Sequence, residues 1–255
     1  MKLNDKNLLV HSVFPTLSGE IGIIPQGSPA VFIRLAVCDL RCPWCDATGA
    51  LTVKDGMEIS PEDLLKVVSQ FGIRNFVITG GEPLLQMKPL GEFVRLLHLH
   101  YRSTCKVQVE TSGHIIPSID DKNMSLIDGY VVDYKLPSSG MEKRMLPFVK
   151  FLEFPNKTYI KFVVNHLIDF IRMAEVIDFI LKENNGKKQL FHSIFFAASP
   201  VHGEMSPLHL WKMIFDNKFL RDKVILNIQI HKIIGQDSIE TKPYLQDFLA
   251  FQSIS

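Results

Sequence analysis

Three of the four cysteines in this 255-residue chain lie within one short segment, as Cys38, Cys42 and Cys45. Thiolates in a C-x3-C-x2-C arrangement can each bind one iron of a 4Fe–4S cluster and leave the fourth iron open to another ligand. A zinc knuckle is the alternative. It would need Cys105 as a distant fourth ligand, whereas structural zinc sites usually pair two C-x2-C clips. The spacing favours the cluster, and we expect Cys105 to be a buried structural thiol.

Five more polar segments resemble the cysteine loop in that each follows a predicted strand. They are TGGEP (79–83), ETSG (110–113), DYKLPSSG (133–140), ASPVHG (198–203) and IQIHK (228–232). The carboxyl ends of parallel strands meet at one edge of a sheet or one mouth of a barrel. We therefore expect all six segments to converge on a single active site.

The elements that would position these segments alternate between apolar strands and amphipathic helices. Predicted strands are Leu8–Phe14, Ala30–Val37, Asn75–Thr79, Lys106–Glu110, Tyr130–Tyr134, Thr158–Val164, Ser193–Ala198 and Val224–Ile230. Predicted helices begin at Pro61, after the N-cap Ser60, and cover Lys88–Tyr101, Asp169–Glu183 and Pro207–Asp216. This alternation predicts an α/β fold with a partial six-stranded (β/α) barrel. Residues 1–235 would form its single core domain, and residues 236–255 a tail that packs as a helix or forms an interface.

The composition fits a globular protein without a strongly charged partner. Apolar residues make up 46% of the chain, charged residues 22%, and the formal net charge is +1. These values give no indication of a nucleic-acid or membrane surface. The first residues lack the pattern of a signal peptide, and no run approaches the roughly 20 apolar residues of a membrane span. We expect a cytoplasmic protein.

The cysteine loop, with Trp44 before its last cysteine, and the Gly80-Gly81-Glu82-Pro83 segment resemble the two signatures of radical S-adenosylmethionine enzymes. The resemblance implies a (β/α)6 barrel in which the open iron chelates the amino and carboxyl groups of S-adenosylmethionine. Reductive cleavage of the cofactor then gives a 5′-deoxyadenosyl radical, which abstracts a hydrogen atom from the substrate.

A narrower resemblance extends over nearly the whole chain, to the 7-carboxy-7-deazaguanine synthase family. It is carried by PTLSGE (15–20), FIRL (32–35), ITGGEPLLQ (78–86), ETSG, DYK with PSS, SPV (199–201) and QIHK (229–232). It implies a carbon–nitrogen lyase that converts 6-carboxy-5,6,7,8-tetrahydropterin into 7-carboxy-7-deazaguanine for queuosine biosynthesis and tRNA modification. It also implies magnesium, a homodimer and an electron donor such as a flavodoxin or ferredoxin.

The same resemblance assigns roles to individual residues. Those matched to substrate binding are Leu17, Ser18, Gly19, Glu20, Arg34, Thr79 and His231. Those matched to cofactor binding are Gly80, Gly81, Glu82, Asp133, Tyr134, Lys135, Ser199, Pro200, Val201 and His202. The guanidinium of Arg34 suits the 6-carboxylate of the pterin because it can donate two parallel hydrogen bonds.

Two departures from the family pattern affect the substrate and metal positions. Ser18 stands where relatives usually have Gln, and Ala47 stands where they commonly have the hydroxyl residue that binds magnesium. We expect Thr48 to take over as the magnesium ligand through a one-residue shift of the loop. A glycyl-radical activase and a non-catalytic zinc or cluster-binding module are the alternative functions.

Overall fold

The computed structural model describes residues 3–117, 121–145, 157–184 and 194–233. Its strands are β1 (Leu8–Leu17), β2 (Pro29–Leu35), β3 (Met57–Ile59), β4 (Asn75–Gly80), β5 (Lys106–Thr111), β6 (Gly129–Tyr134), β7 (Lys157–Val164), β8 (Ile194–Pro200) and β9 (Val224–Leu226). Its α-helices are α1 (Pro61–Ser69), α2 (Met87–His100), α3 (Leu167–Asn184), α4 (Pro207–Asp216) and α5 (Ile230–Ile233). The predicted tail, residues 236–255, lies outside the described residues.

The described strands form one sheet in the order β3-β1-β2-β4-β5-β6-β7-β8-β9. From β2 to β9 every neighbouring pair is parallel, and β1 and β3 add an antiparallel edge. Buried strands of a parallel sheet are apolar almost throughout, as GYVVDY of β6 illustrates. The single-domain α/β fold with a parallel sheet is confirmed.

The helices pack on one face of the sheet and form the main core with it. Phe76, Phe93, Tyr130 and Phe162 are among its largest fully buried side chains. Helix α1 begins as its sequence predicts, because the Ser60 hydroxyl accepts a hydrogen bond from Asp63 N–H at 3.1 Å. No helix in the described ranges has the length and apolar character needed to cross a membrane.

The last strand is shorter than predicted. We expected it to run to Ile230, but β9 ends at Leu226 and α5 begins at Ile230. Asn227 is the residue at which the chain leaves the sheet. Its buried side chain donates to Ser199 Oγ at 2.7 Å and accepts from Ile21 N–H at 2.8 Å. These two bonds draw the segment out of the sheet toward the loop between β1 and β2, so the predicted extension of the strand from Leu226 to Ile230 is wrong.

Residues 18–28, here called the floor loop, join β1 to β2. Because β1 is antiparallel to β2, with Leu17 opposite Pro29, this loop starts at the amino edge of the parallel strands. The cysteine loop and the other polar segments follow the opposite, carboxyl edge. Small apolar contacts among Ile24, Ala30 and Val77 hold the floor loop against the inner face of the sheet.

Candidate active site

A cavity of about 410 Å³ lies on the inner face of the sheet. Residues from all six predicted segments line it, as does the floor loop, so the expected convergence on one site is found. The lining residues that had been assigned roles are Gly19, Glu20, Arg34, Cys38, Cys42, Cys45, Thr79, Gly80, Gly81, Asp133, Lys135, Ser199, Pro200, Val201 and His202.

The cysteine loop is held by backbone hydrogen bonds to the short turn that follows it. Val37 N–H donates to Ala50 O at 2.8 Å, and Cys38 N–H donates to Leu51 O at 3.2 Å. Val37 has a φ of 77°, in the left-handed region that a β-branched residue rarely adopts. Backbone strain of this kind persists only where the surroundings fix it, and here it lies directly before the first cysteine.

The three half-buried thiols fit the donor set of a cluster. Burial raises the pKa of the Cys38 thiol to about 11, with Glu82, Asp39 and Cys45 adding to the effect and the Leu40 N–H opposing it. A thiolate is therefore costly here without a compensating cation, which iron supplies. Within the described ranges no three acidic, His or Cys side chains gather around one ion position. In a cubane cluster each cysteine binds a different iron, so the three thiols do not need to surround one ion.

Cys105 differs from the other three cysteines. It is buried, does not line the cavity, and has a pKa raised to about 11, chiefly by burial. Its thiol lies 3.8 Å from His98 Nδ1 at the far end of β5. This placement agrees with the structural role that we expected for it.

Gly80 and Gly81 are packed against the backbone that leads into the cysteine loop. A Cβ on Gly80, where φ is 115°, would lie 2.2 Å from Leu35 O, and one on Gly81 would lie 2.1 Å from Val37 O. Gly81 N–H donates to Leu35 O and Glu82 N–H to Val37 O, both at 2.8 Å. The glycines thus allow two motif loops to touch each other, in addition to any closeness to a cofactor.

Glu82 braces the site and does not reach the cavity. Its side chain is fully buried and accepts hydrogen bonds from Leu84 N–H at 3.0 Å, Thr111 Oγ1 at 2.6 Å, Ser112 N–H at 3.0 Å and Ser112 Oγ at 2.6 Å. A carboxylate with four donors already in place has little capacity for a further one. We therefore assign to Glu82 a role in joining the TGGEP and ETSG segments, in place of the predicted contact with the cofactor.

The same network continues to the cysteine loop through His114. Ser112 Oγ lies 2.6 Å from His114 Nδ1, and His114 Nε2–H donates to Asp39 Oδ1 at 2.8 Å. Asp39 also pairs with Arg144 at the surface. Since Asp39 directly follows Cys38, this chain of contacts ties the first cysteine to the two other motif segments.

A line of alternating charges crosses the cavity from the cysteine loop to the floor loop. Cys42 lies near Lys135, whose Nζ is 3.1 Å from Asp133 Oδ1. Asp133 Oδ2 is 3.3 Å from Lys161 Nζ, which pairs in turn with Glu20. Burial opposes the charged forms of both lysines, but the neighbouring carboxylates outweigh it and raise the pKa of each.

One acceptor position on Asp133 is unfilled. Asp133 Oδ1 is buried and, among the described residues, has no donor in hydrogen-bond geometry. Lys135 stays close enough to this oxygen to balance its charge. A buried acceptor of this kind is normally satisfied by water or by a bound ligand.

Glu110 and Arg34 lie in the same cavity on β5 and β2. Burial and the nearby charge of Glu20 raise the pKa of Glu110 to about 7, whereas Lys161 and a hydrogen bond from Thr79 oppose the rise. Arg34 is in register with Thr79 on β4, so both side chains project from the inner face of the sheet.

Four other predicted residues do not line the cavity. Ser18 is buried, and its hydroxyl donates to Ile24 O at 3.3 Å within the floor loop. Leu17 is the last residue of β1, paired with Pro29. Tyr134 packs in the core against Phe162, because its side chain projects from the helix-covered face of β6. The fourth is Thr48.

Thr48 begins an exposed turn, and Ala47 is the residue that lines the cavity. The one-residue shift that would bring the Thr48 hydroxyl inward is therefore absent from this loop. The described residues offer no protein hydroxyl at the position where we had expected magnesium. The side chain of His231 lies outside the description, although its backbone belongs to α5.

The sequence analysis missed several residues of the site. Lys161 and Gln229 line the cavity without having been assigned a role, and His114 joins the network behind it. Lys161 carried a usable signal, because a single lysine within the apolar strand TYIKFVV is seldom buried unless it is paired. Gln229 lies in the IQIHK segment that we expected at the site, but its partner Glu20 could not be foreseen. His114 carried no signal, because its role depends on Asp39, which is distant in sequence.

Comparison with known proteins gives consistent results. Residues 33–134 match the Radical SAM superfamily. The 7-carboxy-7-deazaguanine synthase of Clostridium acetobutylicum is 37% identical over 232 residues, covering 89% of this chain and 96% of its own. That of Leptospira interrogans is 34% identical over 246 residues, with coverages of 89% and 95%. The crystal structure of QueE from Escherichia coli has the same fold, with a TM-score of 0.64, 23% identity, and coverage of 88% of this chain and 94% of its own.

Proposed function

The chain belongs to the 7-carboxy-7-deazaguanine synthase family of radical S-adenosylmethionine enzymes, and from this membership we propose that its cavity converts 6-carboxy-5,6,7,8-tetrahydropterin into 7-carboxy-7-deazaguanine. The observation that supports this most is the single cavity in which three thiols, Arg34 and a set of carboxylates face one another. The overall change is redox-neutral, since substrate equals product plus ammonia. The 5′-deoxyadenosyl radical must therefore act as a catalyst or be regenerated after each turnover. The role of the protein is to restrict which atom of the substrate the radical reacts with.

At one end of the cavity, Cys38, Cys42 and Cys45 would hold the cluster, and Gly80 and Gly81 would face the cofactor. The bound cluster and S-adenosylmethionine supply an electron and the organic radical that begins the reaction. Asp133 and Lys135 stand beside Cys42. The unfilled Asp133 Oδ1 can accept from an amino or hydroxyl group of the cofactor. Ser199, Pro200, Val201 and His202 would enclose it from β8.

At the other end, Glu20, Arg34, Thr79 and Glu110 would bind the pterin, with Gly19 against it. The amino-pyrimidinone edge of a pterin presents mainly N–H donors, so carboxylate acceptors are suited to it. Arg34 would take the 6-carboxylate through two parallel hydrogen bonds. Fixing both edges of a rigid bicyclic substrate leaves one C–H bond facing the cofactor, and the enclosing walls exclude water from the radical.

The described residues do not fit a magnesium site built on a protein hydroxyl. Thr48 faces solvent, and Ala47 has no oxygen in its side chain. Magnesium tolerates several waters and binds carboxylates readily. We therefore assign any magnesium to the substrate carboxylate and water, and no step of the reaction to it. A Thr48→Val substitution should leave the magnesium response unchanged, whereas Ala47→Thr should strengthen it.

The remaining proposals concern partners and location. A radical S-adenosylmethionine enzyme needs a reductant, and we propose a small flavodoxin or ferredoxin as the donor. A cytoplasmic homodimer with no nucleic-acid or membrane partner fits the balanced charge of the chain. Gel filtration with light scattering on the reconstituted protein tests the dimer.

The function is tested by incubating anaerobically reconstituted protein with 6-carboxytetrahydropterin, S-adenosylmethionine and a reductant, and reading the products by mass spectrometry. We expect 7-carboxy-7-deazaguanine and ammonia in equal amounts. Replacement of Cys38, Cys42 or Cys45 by Ala should abolish turnover and the visible absorption of the cluster. Cys105→Ala is the matched control and should keep both. Cofactor cleavage without any deazapurine would contradict the proposed substrate, and an equal requirement for Cys105 would contradict the open-iron cluster.

A further inference from the structure

Lys161 is a buried cation at the centre of the cavity for which the proposed reaction has no assigned use. We propose that Lys161 is a positioning residue that keeps Glu20 and Glu110 available together as carboxylate acceptors for the donor-rich edge of the substrate. This inference rests on the proposed function, because the pterin substrate determines which edge the two carboxylates bind.

The position of Lys161 is fixed by the sheet. It lies on β7 opposite Asp133 of β6 and Ala197 of β8, with its side chain on the inner face and only 9% exposed. Its Nζ pairs with Glu20 Oε2, and Asp133 Oδ2 lies 3.3 Å away. A lysine in a packed strand has little freedom to move, so these contacts define where the charge sits.

Glu20 is held from two directions. Lys161 binds one carboxylate oxygen, and Gln229 Nε2 donates to the other at 2.6 Å. Gln229 belongs to the segment after β9, so elements from the two ends of the fold orient the same carboxylate. Glu20 is thereby aimed into the cavity from a floor loop that starts at the opposite edge of the sheet.

Glu110 is close enough to Glu20 for the two charges to repel each other. Its pKa is raised by burial and by Glu20, and lowered by Lys161 and by hydrogen bonds from Thr79 and Gln108. Gln108 Nε2 donates to Glu110 Oε1 at 3.3 Å, and its oxygen accepts from Ile24 N–H. Two carboxylates that share a site without a cation tend to share a proton, and a protonated oxygen no longer accepts.

The charged and polar groups facing this pair come from every surrounding element. They are Arg34 of β2, Thr79 of β4, Gln108 of β5, Asp133 and Lys135 of β6, Lys161 of β7, and Gln229 and Lys232 after β9. Lys161 is the cation in contact with Glu20, and it acts on both glutamates. Lys135 pairs with Asp133 on the cofactor side. Loss of Lys161 should therefore affect substrate recognition before cofactor binding.

The test compares Lys161→Met with Lys161→Arg in the reconstituted holoenzyme. Met keeps the length of the side chain and removes the charge, whereas Arg keeps the charge. Lys182→Met, which removes an exposed lysine paired with Asp178 on α3, is the control for loss of one positive charge. For Lys161→Met we expect kcat/KM for the pterin at pH 7 to fall about fivefold, mainly through KM, because its acid limb moves up by about one pH unit from the parental pKa of Glu110, about 7. Lys161→Arg should retain most of the activity, and Lys182→Met should match the parent.

Two readouts separate this effect from simple damage. Cofactor affinity and iron content should stay within about twofold of the parent in Lys161→Met, because Lys135 and the cysteines remain. Difference infrared spectroscopy at pH 8 on glutamate-labelled, substrate-free holoenzyme should show a much stronger protonated-carboxyl band in Lys161→Met than in the parent, whose Glu110 is mostly ionised at that pH. That band should disappear in the Lys161→Met, Glu110→Gln double variant.

The inference is overturned if Lys161→Met shows the parental acid limb and KM, or if it gains no protonated carboxyl. If Lys161→Met fails to assemble, the Lys161→Met, Glu20→Gln variant removes the repulsion together with the cation. It should then recover cluster content and show no more protonated Glu110 than the parent, and a band clearly stronger than the parental one would count against the role of Lys161. The infrared measurement is made without turnover, so its result can be interpreted whether or not the protein catalyses the proposed reaction. Failure of the parent to convert the pterin would overturn the proposed function alone.

Discussion

Gly81 is packed so closely against the turn before the cysteine loop that an added methyl group has no space. In Gly81→Ala the Cβ would lie 2.1 Å from Val37 O and 2.4 Å from Val37 C, both backbone atoms. Overpacking costs about 1–3 kcal/mol where side chains can adjust, and here the backbone itself must move. Moving it would also weaken the hydrogen bonds from Gly81 and Glu82 to the preceding loop, each contributing about 1 kcal/mol. We expect a loss of about 3–5 kcal/mol.

Gly49→Ala provides the matched control. It adds the same methyl group to the turn beside the cysteine loop, where the nearest atom would be His11 Cε1 at an ordinary 3.5 Å. Its stability should stay within about 1 kcal/mol of the parent. Thermal unfolding of the anaerobically reconstituted proteins, followed by circular dichroism, should show a Tm about 10 °C lower for Gly81→Ala. Iron content should fall as well, because Val37 precedes Cys38. Equal Tm and iron content in the two variants would refute the packing argument.

Three other substitutions test the charged and hydrogen-bonded parts of the site. Burial raises the pKa of Glu110 from 4.5 to about 7, so ionising this carboxyl destabilises the native state as the pH rises between those values. Glu110→Gln should therefore gain about 2 kcal/mol over the parent between pH 5 and pH 8 in urea unfolding, and a difference that does not vary with pH would contradict the shift. His114→Ala should cost about 2–3 kcal/mol and lower the iron retained after gel filtration, because it leaves Ser112 and Asp39 without their shared partner; unchanged iron retention would show that the contact does not brace the cysteine loop. Arg34→Lys should raise KM for the pterin about tenfold at constant iron content, since Lys cannot donate two parallel hydrogen bonds, and equal turnover of a pterin without the 6-carboxylate would count against this role.

Those parts of the fold that depend on local sequence were predicted well. The Ser60 cap, the start of α1 at Pro61 and the apolar strands follow from short-range preferences, and each was found within a few residues of its predicted position. The convergence of the polar segments followed from a rule about parallel strands. The end of β9 was missed because Asn227 leaves the sheet for partners at Ser199 and Ile21, which no local pattern reveals.

The site was predicted less completely than the fold, for the same reason. A motif identifies a residue but not the direction of its side chain. Glu82 belongs to a cofactor signature, yet its carboxylate is occupied by the ETSG segment. Thr48 was expected to compensate for Ala47, but an exposed turn holds it away from the cavity. Lys161 belongs to no motif and acquires its importance from Glu20, 141 residues away in the chain.

The hydrogen bonds between the floor loop and the segment after β9 affect the order in which parts of the protein can fold. Ile21 N–H donates to Asn227, Gln26 donates to Ile228 O, and Gln229 donates to Glu20, so contacts span more than 200 residues. On the ribosome, the cysteine loop can meet Gly81 once the first third of the chain has emerged. The floor loop must wait for nearly all of the remainder. The substrate end of the cavity is therefore completed only when segments from near both ends of the described fold have come together.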